Sequence, residues 1–401
     1  MSDVVMVGLG YIGLPTAGVM ANHNIKVQGV DVKQEVVDII NDGKIHIVEP
    51  GLEELIHSGV TKGFLNASLS PVSANTYLIA VPTPFKGNFE PDLTYVEKAI
   101  DAILPHLKEN QLVVIESTSP VGTTEKMYNR IVNARPELKG KLNMAYCPER
   151  VLPGNVIHEL ENNDRVIGGI DDKSTKAASD FYAQFVKGEL HPTNASTAEM
   201  CKLVENASRD SQIAFANELS MICDKADINV YKLIELTNKH PRVNILQPGT
   251  GVGGHCIAVD PWFIVNDFPN EAKFVKQARE INNYKTDWVI EKIKNTILEF
   301  RLIHNKAPKV ALMGLAFKPD IDDLRESPAV KVVDELYKDL GLANFSVVEP
   351  NVQTHNSFEI VDAEKAINES DIVVYLVNHS PFRNFTINDS KKVLDFCGVI
   401  K

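Results

Sequence analysis

Short apolar runs alternate with amphipathic stretches through the first half of the chain. Residues 4–7, 77–81 and 112–115 are mainly apolar runs with the length of a strand, and residues 25–30 carry Ile25, Val27 and Val30; this is typical of strands buried in a parallel sheet. Between the last two runs, one helical stripe carries Val96, Ile100, Ile103 and Leu107. This alternation predicts an α/β domain that covers residues 1–192.

Two long helical patterns follow. The first opens with Ser196-Thr197-Ala198-Glu199, which has the S-x-x-E spacing of a capping box. The second extends from about Glu271 to about Phe300, and we expect a helix of that length to connect domains and to form part of a dimer interface. The patterns predict a central helical and dimerisation region over residues 193–305, which also contains a glycine-rich loop with a cysteine.

A second strand–glycine–helix cycle begins at residues 309–318, and later strands are predicted at 345–350 and 372–377. The cycle lacks a complete G-x-G-x-x-G, so residues 306–401 are predicted to form a smaller Rossmann-like domain that does not bind NAD. The predicted fold class is therefore α/β, with two Rossmann-like, doubly wound domains joined by a long central helix and a helical dimerisation region.

Composition narrows the range of partners. The 401 residues are 44% hydrophobic and 23% charged, with a formal net charge of −12, which argues against a nucleic-acid-binding surface. We find no apolar run of membrane-spanning length and no signal peptide pattern, so no membrane partner is expected. The cysteines form no C-x-x-C pair, which indicates reduced thiols in a cytoplasmic protein and no metal site. They are Cys147, Cys201, Cys223, Cys256 and Cys397.

The first apolar run leads directly into Gly8-Leu9-Gly10-Tyr11-Ile12-Gly13. This G-x-G-x-x-G, placed between a strand and a helix, makes a tight turn, admits a pyrophosphate and lets the helix pack on the sheet. Asp31 follows residues 25–30, 18 residues after Gly13. An acid there binds a ribose diol and repels a 2′-phosphate, so NAD is favoured over NADP, although Lys33 weakens that preference. The alternative is a loop with an incidental acid.

Hydroxyl side chains follow two further strands. Thr83 and Thr118 lie just beyond the carboxyl ends of the runs at 77–81 and 112–115, where ligands bind in doubly wound sheets. We interpret both as lining the cofactor crevice; a turn or N-cap hydroxyl is the alternative for each.

The stretch from Gly249 to Gly254 holds four glycines and leads to Cys256, with Asp260 four residues later. Glycines let a ligand approach the backbone closely, and a thiol with a nearby carboxylate suits covalent catalysis. The alternative is a surface loop with a buried cysteine.

Polar side chains elsewhere form candidate binding groups. Lys202, Asn206 and Arg209 share one helix face, which is also typical of a solvated face. Glu149 and Arg150 follow a predicted strand between two prolines, as in a site loop. Basic residues near the glycine-rich loop and in the second cycle are candidates to bind phosphates, with an exposed charged loop as the alternative. They are His240, Arg242, Lys318 and Arg325.

Taken together, these motifs resemble the nucleotide-sugar 6-dehydrogenases, the family that contains UDP-glucose dehydrogenase. The resemblance spans nearly the whole chain and rests on residues 8–15, 81–84, 116–118, 202 with 206, 251–256, and 314–318 with 325–327. Arg150-Val151 and Pro153 stand where the UDP-glucose enzymes usually carry Phe-Leu and a second Glu, which argues against glucose. Four segments instead resemble the branch that acts on UDP-N-acetyl-D-mannosamine: residues 45–50, 147–154, 240–249 and 255–262.

The resemblance implies a four-electron oxidation of the sugar C6 hydroxyl to a carboxylate with two NAD, through a thiohemiacetal and a thioester on Cys256. It implies that Lys202 and Asn206 hold the C6 oxyanion, that Asp260 and Thr118 position water, and that Glu149 is the base in hydrolysis. The residues it assigns to the cofactor are Gly8, Gly10, Tyr11, Ile12, Gly13, Asp31, Thr83, Thr118 and Arg325. Those it assigns to the UDP-sugar are Arg150, Val151, Lys202, Asn206, Arg209, His240, Arg242, Gly253 and Lys318.

The resemblance also implies a homodimer or higher homo-oligomer, in which a neighbouring subunit supplies Arg242, and a role in polysaccharide biosynthesis. Three alternatives remain. In the first alternative, the substrate is UDP-N-acetylglucosamine or UDP-glucose. In the second, the enzyme is a single-step dehydrogenase of the 6-phosphogluconate or β-hydroxyacid type. In the third, the protein binds nucleotides without catalysis. The number of NADH molecules formed per substrate separates the first two, because the single-step enzymes release one.

Overall fold

A computed structural model describes residues 2–151, 154–254, 256–341 and 344–400. The chain divides into two compact units, residues 1–205 and 206–401. Each unit contains its own sheet, and each unit is described in turn.

Within the described residues, eight strands form the sheet of the first unit, in the order β3-β2-β1-β4-β5-β6-β7-β8. Their bounds are β1 Ser2–Val7, β2 Val27–Val30, β3 Leu65–Ser68, β4 Ala74–Ile79, β5 Leu112–Ile115, β6 Asn143–Tyr146, β7 Arg165–Gly169 and β8 Leu190–Asn194. The first six follow the strand order of dinucleotide-binding sheets. All neighbours are parallel except β6 and β7, which pair antiparallel with Tyr146 opposite Gly168.

Helices cover both faces of this sheet, which explains why its central strands are almost continuously apolar. They are α1 Gly13–Asn22, α2 Gln34–Asn41, α3 Leu52–Thr61, α4 Thr94–Ile103, α5 Thr123–Ala134, α6 Val156–Asn162 and α7 Asp172–Tyr182. One core packs Met6 and Leu78 against α1 and α3, while the other packs Tyr77 and Ile115 against α4 and α5. The alternation along each strand therefore serves two cores.

The long helix α8, Ala195–Lys225, begins differently from the prediction. Asn194, directly before it, caps it: its Oδ1 accepts a hydrogen bond from the Thr197 amide at 2.8 Å. The Glu199 carboxylate instead accepts bonds from the Gly122 amide at 2.6 Å and from the Thr124 amide at 2.7 Å. The predicted capping box is wrong, because the unsatisfied amides at the head of α5 attract this carboxylate more strongly than the head of its own helix.

The second unit contains a four-stranded, fully parallel sheet in the order β10-β9-β11-β12, counted over the described residues. Its strands are β9 Val310–Met313, β10 Phe345–Val348, β11 Ile372–Tyr375 and β12 Lys392–Asp395. Its helices are α9 Val230–Thr237, α10 Asp260–Asp267, α11 Lys273–His304, α12 Pro328–Leu340 and α13 Ala363–Glu369. Val289, Ile293 and Ile297 of α11 pack with α12 on one face of the sheet, and α13 covers the other.

The predicted fold class, two Rossmann-like α/β domains with long helices between them in sequence, is confirmed. The three-part division at residues 192 and 305 stays a prediction; β8 runs through the first of those positions, and α11 ends at the second. Over the described residues, no helix combines the length and apolarity needed to cross a bilayer. The predicted dimerisation role of the long helices stays a prediction.

One lysine is buried inside the second unit. Lys285 of α11 is 1% exposed; its Nζ donates to Ser220 Oγ at 2.7 Å and lies 4.0 Å from the centre of the Trp288 ring. Desolvation lowers its pKa to about 7, and the nearby Asp224 offsets only part of that effect. Burial therefore penalises the charged form of this side chain in the folded state.

We predict that this penalty appears in the pH dependence of stability. Between about pH 7 and pH 10 the unfolded chain holds more protons at Lys285 than the folded chain, so the free energy of unfolding rises with pH by up to about 1.4 kcal/mol per pH unit. Lys285→Met removes this term, and urea unfolding from pH 7 to 10 measures it as a wild-type-minus-variant difference that grows with pH. The surface variant Lys331→Met is the control. If the wild-type-minus-variant difference in the free energy of unfolding is independent of pH for both variants, the prediction is contradicted.

Candidate active site

Three glycines shape the turn between β1 and α1. Gly8 has φ +94°, and a Cβ there would lie 2.4 Å from the Ala80 carbonyl oxygen; a Cβ at Gly13 would lie 1.9 Å from the Gly8 carbonyl oxygen. A Cβ at Gly10 would meet no atom of the chain within 4 Å. Gly8 and Gly13 are thus required by the protein itself, whereas Gly10 leaves the turn open for close approach of a pyrophosphate.

Asp31 follows β2 and faces this turn. Its Oδ2 accepts a hydrogen bond from the Leu9 amide at 3.2 Å, and its Oδ1 accepts one from the Lys33 amide at 3.0 Å. A carboxylate has about four acceptor positions, so these two bonds orient Asp31 and leave capacity for a ribose diol. Tyr11 is 54% exposed, and Ile12 immediately precedes α1. The residues of this turn therefore fit a bound NAD.

Hydrogen bonds of Ser117 link the loops after β4 and β5, and sequence reasoning missed this contact. Its Oγ accepts a hydrogen bond from the Val81 amide at 2.9 Å and donates one to the Val81 carbonyl at 2.7 Å. Thr83 and Thr118, both half-buried, lie in these two loops. The first unit therefore brings together the loops that carry both predicted hydroxyls.

Glu149 and Lys202 meet in the first unit. The Lys202 ammonium donates to the main-chain oxygen of Glu149 at 2.8 Å, while the Glu149 carboxylate forms a buried ion pair with Arg165 at 3.0 Å. The neighbouring Arg150 pairs instead with Glu205, at 2.7 Å on the α8 surface. Sequence reasoning missed Arg165; a charged residue opening the apolar strand β7 was the signal that a buried partner exists.

A second buried carboxylate lies close to this ion pair. Glu116 is 3% exposed and accepts a hydrogen bond from the Tyr182 hydroxyl at 2.6 Å. Desolvation raises its pKa to about 7; the Arg165 charge opposes that shift and the Glu149 charge adds to it. Burial also raises the pKa of the Cys147 thiol to about 12, so Cys147 is a packed, protonated thiol rather than a nucleophile.

In the second unit, Cys256 and Asp260 are separated by one turn of main chain. The amides of Val259 and Asp260 both donate to the Cys256 carbonyl, at 3.0 and 2.9 Å, so the half-buried Cys256 stands at the head of α10. Asp260 is 3% exposed, and its Oδ2 accepts a hydrogen bond from Asn206 Nδ2 at 2.5 Å. Three of the predicted catalytic residues are thus brought together within this unit.

The glycine-rich loop before Cys256 is pressed against other parts of the second unit. A Cβ at Gly253 would lie 2.5 Å from the Glu326 carbonyl oxygen, and Gly254 has φ +80°. The Gly254 amide donates to the Arg325 carbonyl at 3.3 Å, and Thr250 Oγ1 donates to the Leu376 carbonyl at 2.6 Å. The glycines here serve close packing of the loop. His255 of this motif, like Leu152 and Pro153 of the motif after β6, lies outside the described residues.

A buried chain of hydrogen bonds, which sequence reasoning also missed, holds the start of this loop. Gly249 donates its amide to Asn217 Oδ1 at 2.9 Å, and Asn217 Nδ2 donates to Asn282 Oδ1 at 2.9 Å. Asn282 Nδ2 then donates to Asp210 Oδ1 at 2.7 Å, where the Arg279 guanidinium also binds at 2.5 Å. This network links α8, α11 and the cysteine loop into one fixed arrangement.

The remaining predicted basic residues of the second unit are exposed. The Arg325 guanidinium forms hydrogen bonds to both carboxylate oxygens of Asp323, the shortest at 2.6 Å. The Arg242 amide donates to His240 Nδ1 at 3.3 Å, which fixes the loop between them. Arg209 and Lys318 are also exposed. The second unit therefore presents several cations at its surface, as binding of a diphosphate requires.

The second Rossmann-like sheet carries its own acid at the matching position. Glu349 follows β10, as Asp31 follows β2, and its Oε2 accepts a hydrogen bond from the Leu315 amide at 2.7 Å. The same oxygen accepts a bond from His379 Nε2 at 3.1 Å, and His379 Nδ1 accepts one from the Asp320 amide at 2.9 Å. Burial opposes ionisation of Glu349, but these donors outweigh it and lower its pKa. The Glu349 carboxylate is hydrogen-bonded to groups of its own unit, as expected for a domain that does not bind NAD.

The first unit has a glycine turn with an acid after its second strand, and the second unit has a cysteine one turn from a buried aspartate. Both are features of an NAD-dependent dehydrogenase. Profiles of the UDP-glucose/GDP-mannose dehydrogenase family match residues 2–186 as its NAD binding domain, 196–284 as its central domain and 311–401 as its UDP binding domain. The chain belongs to this family, and it is a nucleotide-sugar dehydrogenase.

Individual relatives agree. A UDP-N-acetyl-D-mannosamine dehydrogenase of Campylobacter jejuni is 53% identical over 412 residues, which cover 99% of each chain. An NDP-N-acetyl-D-galactosaminuronic acid dehydrogenase of Ralstonia nicotianae is 50% identical over 98% of this chain and 95% of that one. The solved structure of a UDP-D-ManNAc dehydrogenase from Pyrococcus horikoshii matches with a TM-score of 0.88 and 36% identity, over 99% of this chain and 96% of the other.

We predict that Asp31→Ala lowers the affinity for NAD roughly tenfold, because a charge-assisted hydrogen bond to the ribose diol is lost. The affinity for NADP falls less, since the same change removes a repulsion of the 2′-phosphate. Fluorescence titrations with both cofactors measure the ratio of the two dissociation constants. The exposed variant Asp42→Ala is the control, and an unchanged ratio in Asp31→Ala contradicts the assignment.

Proposed function

We propose that this enzyme oxidises C6 of UDP-N-acetyl-D-mannosamine twice, to UDP-N-acetyl-D-mannosaminuronate, with an acyl intermediate on Cys256. The observation that carries this proposal is the placement of Cys256 one turn from the buried, hydrogen-bonded Asp260. A dehydrogenase that stops at the aldehyde has no need of a thiol, whereas oxidation to the acid requires the aldehyde to be converted into a group that again releases hydride.

The overall reaction converts the C6 alcohol and one water into a carboxylate, and four electrons leave as two hydrides. When bound, NAD would accept each hydride. The turn at residues 8–13 and Asp31 would hold it, with Thr83 and Thr118 in the adjoining loops and Arg325 as a further cofactor ligand. The alcohol proton leaves as the first hydride departs, and this gives the aldehyde. The Cys256 thiol gives up its proton and its sulfur forms a bond to C6, while the C=O π bond breaks and the carbonyl oxygen becomes the oxyanion of a thiohemiacetal.

Lys202 and Asn206 stabilise the oxygen of C6 in both oxidations. They lie four residues apart on α8, hence on one side of that helix, and offer an ammonium and an amide donor to a developing negative charge. After the second hydride leaves, water attacks the thioester, the C–S bond breaks and the thiol is restored. We assign Glu149 to accept the proton from that water, and Asp260 and Thr118 to position it.

The substrate is held by its uridine diphosphate and distinguished by its sugar. We assign Arg150, Arg209, His240, Arg242 and Lys318 to the diphosphate and sugar hydroxyls, together with Val151 and the backbone at Gly253. The N-acetylmannosamine sugar is supported by the names of the Campylobacter jejuni and Pyrococcus horikoshii relatives. The relative from Ralstonia nicotianae makes an N-acetylgalactosamine-type sugar the second candidate.

The first test is the yield of NADH from limiting nucleotide sugar. We predict two NADH per UDP-N-acetylmannosamine, measured as the absorbance end point at 340 nm, and little NADH from UDP-N-acetylgalactosamine, UDP-N-acetylglucosamine or UDP-glucose. A yield of one NADH per sugar would mean that the enzyme is a single-step dehydrogenase. If two NADH are formed from UDP-N-acetylgalactosamine and few from the other sugars, the second candidate is the substrate.

Cys256→Ser tests the covalent step separately. We predict that turnover falls by at least about a thousandfold, because a hydroxyl is a far poorer nucleophile than a thiol at neutral pH. Binding of NAD and of the nucleotide sugar, measured by calorimetry, stays within a few fold of wild type. Cys223→Ser changes a buried thiol of the same unit and is the matched control; loss of sugar binding in Cys256→Ser alone indicates a structural cysteine instead.

A further inference from the structure

We propose that Glu49 is a positioning residue for the nucleotide sugar, because its buried carboxylate fixes the end of the loop between β6 and α6. This β6–α6 loop, residues 147–155, carries Glu149, Arg150 and Val151, to which the proposed function assigns the proton of the attacking water and part of the substrate. The inference rests on that proposed function and adds to it a residue from a different loop.

Glu49 belongs to the short segment between α2 and α3, which is itself held in place. Ile47 is 7% exposed and packs in the core that also contains Leu52. The Glu49 carbonyl accepts a hydrogen bond from the Leu52 amide at 3.1 Å, at the start of α3. Gly51, with φ +76°, makes the turn directly before that helix. The Glu49 side chain therefore projects from a fixed piece of main chain.

The Glu49 carboxylate binds the end of the β6–α6 loop through both of its oxygens. Oε2 accepts a hydrogen bond from the Gly154 amide at 2.9 Å, and Oε1 accepts one from the Val156 amide at 2.8 Å. Glu49 is 7% exposed and Val156 is 4% exposed. Hydrogen bonds to an ionised acceptor are stronger than neutral ones, and a buried amide without a partner is costly. This carboxylate therefore fixes the point at which the loop enters α6.

The other end of the β6–α6 loop is fixed by the sheet. The Cys147 amide, directly after β6, donates to the Ile115 carbonyl of β5 at 3.0 Å. Two residues later, the Glu149 carboxylate forms its buried ion pair with Arg165 at 3.0 Å. The start of the loop is therefore held independently of Glu49, and a change at Glu49 acts on its far end.

Val151 and Arg150 lie between these two fixed points. Val151 is half-buried and packs on the same core as Ile47 and Val156. Gly154 follows Val151 by three residues, and each step along the main chain spans only about 3.8 Å between Cα atoms. A displacement of Gly154 therefore changes the positions that Val151 and Arg150 can occupy.

This contact joins two segments that the sequence had singled out separately. Residues 45–50 and 147–154 are two of the four segments that resemble the UDP-N-acetyl-D-mannosamine branch. Glu49 lies in the first segment and its partner Gly154 in the second. The first segment, which the proposed reaction leaves without a role, thus supports the substrate-binding residues of the second.

Loss of the Glu49 contact is expected to weaken substrate binding rather than to slow the chemistry. Without its two hydrogen bonds, the loop occupies the binding arrangement for only a fraction of the time, and the apparent dissociation constant rises by the inverse of that fraction. Bound sugar selects the ordered arrangement, so the rate at saturating sugar is retained. A large effect on KM with little effect on kcat therefore identifies positioning through this loop.

The test compares Glu49→Gln and Glu49→Ala with wild type, using the nucleotide sugar that the wild-type enzyme oxidises. We expect KM for this sugar to rise roughly tenfold in Glu49→Gln, which keeps one acceptor oxygen, and roughly a hundredfold in Glu49→Ala, which keeps none. The kcat and the dissociation constant for NAD are expected to stay within about threefold of wild type. Glu53→Gln, which changes an exposed carboxylate in the first turn of α3, is the matched control.

Hydrogen–deuterium exchange of the peptide that covers residues 147–158 measures the loop directly. We expect its amides to exchange faster in both Glu49 variants than in wild type, and to be slowed again by saturating nucleotide sugar. Glu49→Gln keeps the test usable if Glu49→Ala does not fold, because it retains one of the two hydrogen bonds.

Three results overturn the proposal. The first is a wild-type KM in folded Glu49→Gln, and the second is an equal loss of affinity for NAD and for the sugar, which indicates general loosening of the unit. The third is failure of both variants to fold, which makes Glu49 a residue for folding alone. Wild-type enzyme measured in parallel keeps the two questions apart. One NADH per sugar, or a different sugar, overturns the proposed function, whereas the role of Glu49 is judged from the ratio of variant to wild-type KM.

Discussion

The hydrogen-bond chain between α8 and α11 is the interaction on which the cysteine loop depends. Asp210 and Asn217 on one helix are paired with Arg279 and Asn282 on the other, and Oδ1 of Asn217 accepts a hydrogen bond from the amide of Gly249. The four side chains are buried, so loss of any one leaves a polar group unsatisfied at a cost of about 1–3 kcal/mol. The loop that carries Cys256 is therefore held by groups with few alternative arrangements.

The parts of the fold that follow from periodicity were predictable. The strands around the glycine turn, the acid after β2 and the long helix α11 appear within a few residues of their expected bounds, because each has a pattern that only one kind of element satisfies. The glycine turn is the clearest case. Gly8 and Gly13 approach carbonyl oxygens so closely that no other residue fits, and that steric requirement is visible in the sequence as spacing.

The supporting residues of the site were not predictable in the same way. Glu199 has the spacing of a capping residue, yet it binds the head of α5, because tertiary donors compete with local ones. Arg165 and Asp210 carry no periodic signal at all; their roles depend on partners distant in sequence. Sequence reasoning selects candidate ligand-binding groups by their unusual chemistry, and it misses buried charges whose partners are distant in sequence.

The acid that follows the second strand accepts few hydrogen bonds from the protein in the first unit and many in the second. In the first unit Asp31 is held by two main-chain amides, whereas Glu349 is bonded to Leu315, Ala316, Asn351 and His379. A carboxylate has about four acceptor positions, two on each oxygen. Oε2 of Glu349 accepts the bonds from Leu315, Ala316 and His379, and Oε1 accepts both the amide and the side-chain Nδ2 of Asn351, so neither oxygen has a position left for a ribose. To engineer a dinucleotide site into the C-terminal unit, restoring the glycines would be insufficient; the buried imidazole of His379 would also have to be replaced by a side chain that leaves the acid open.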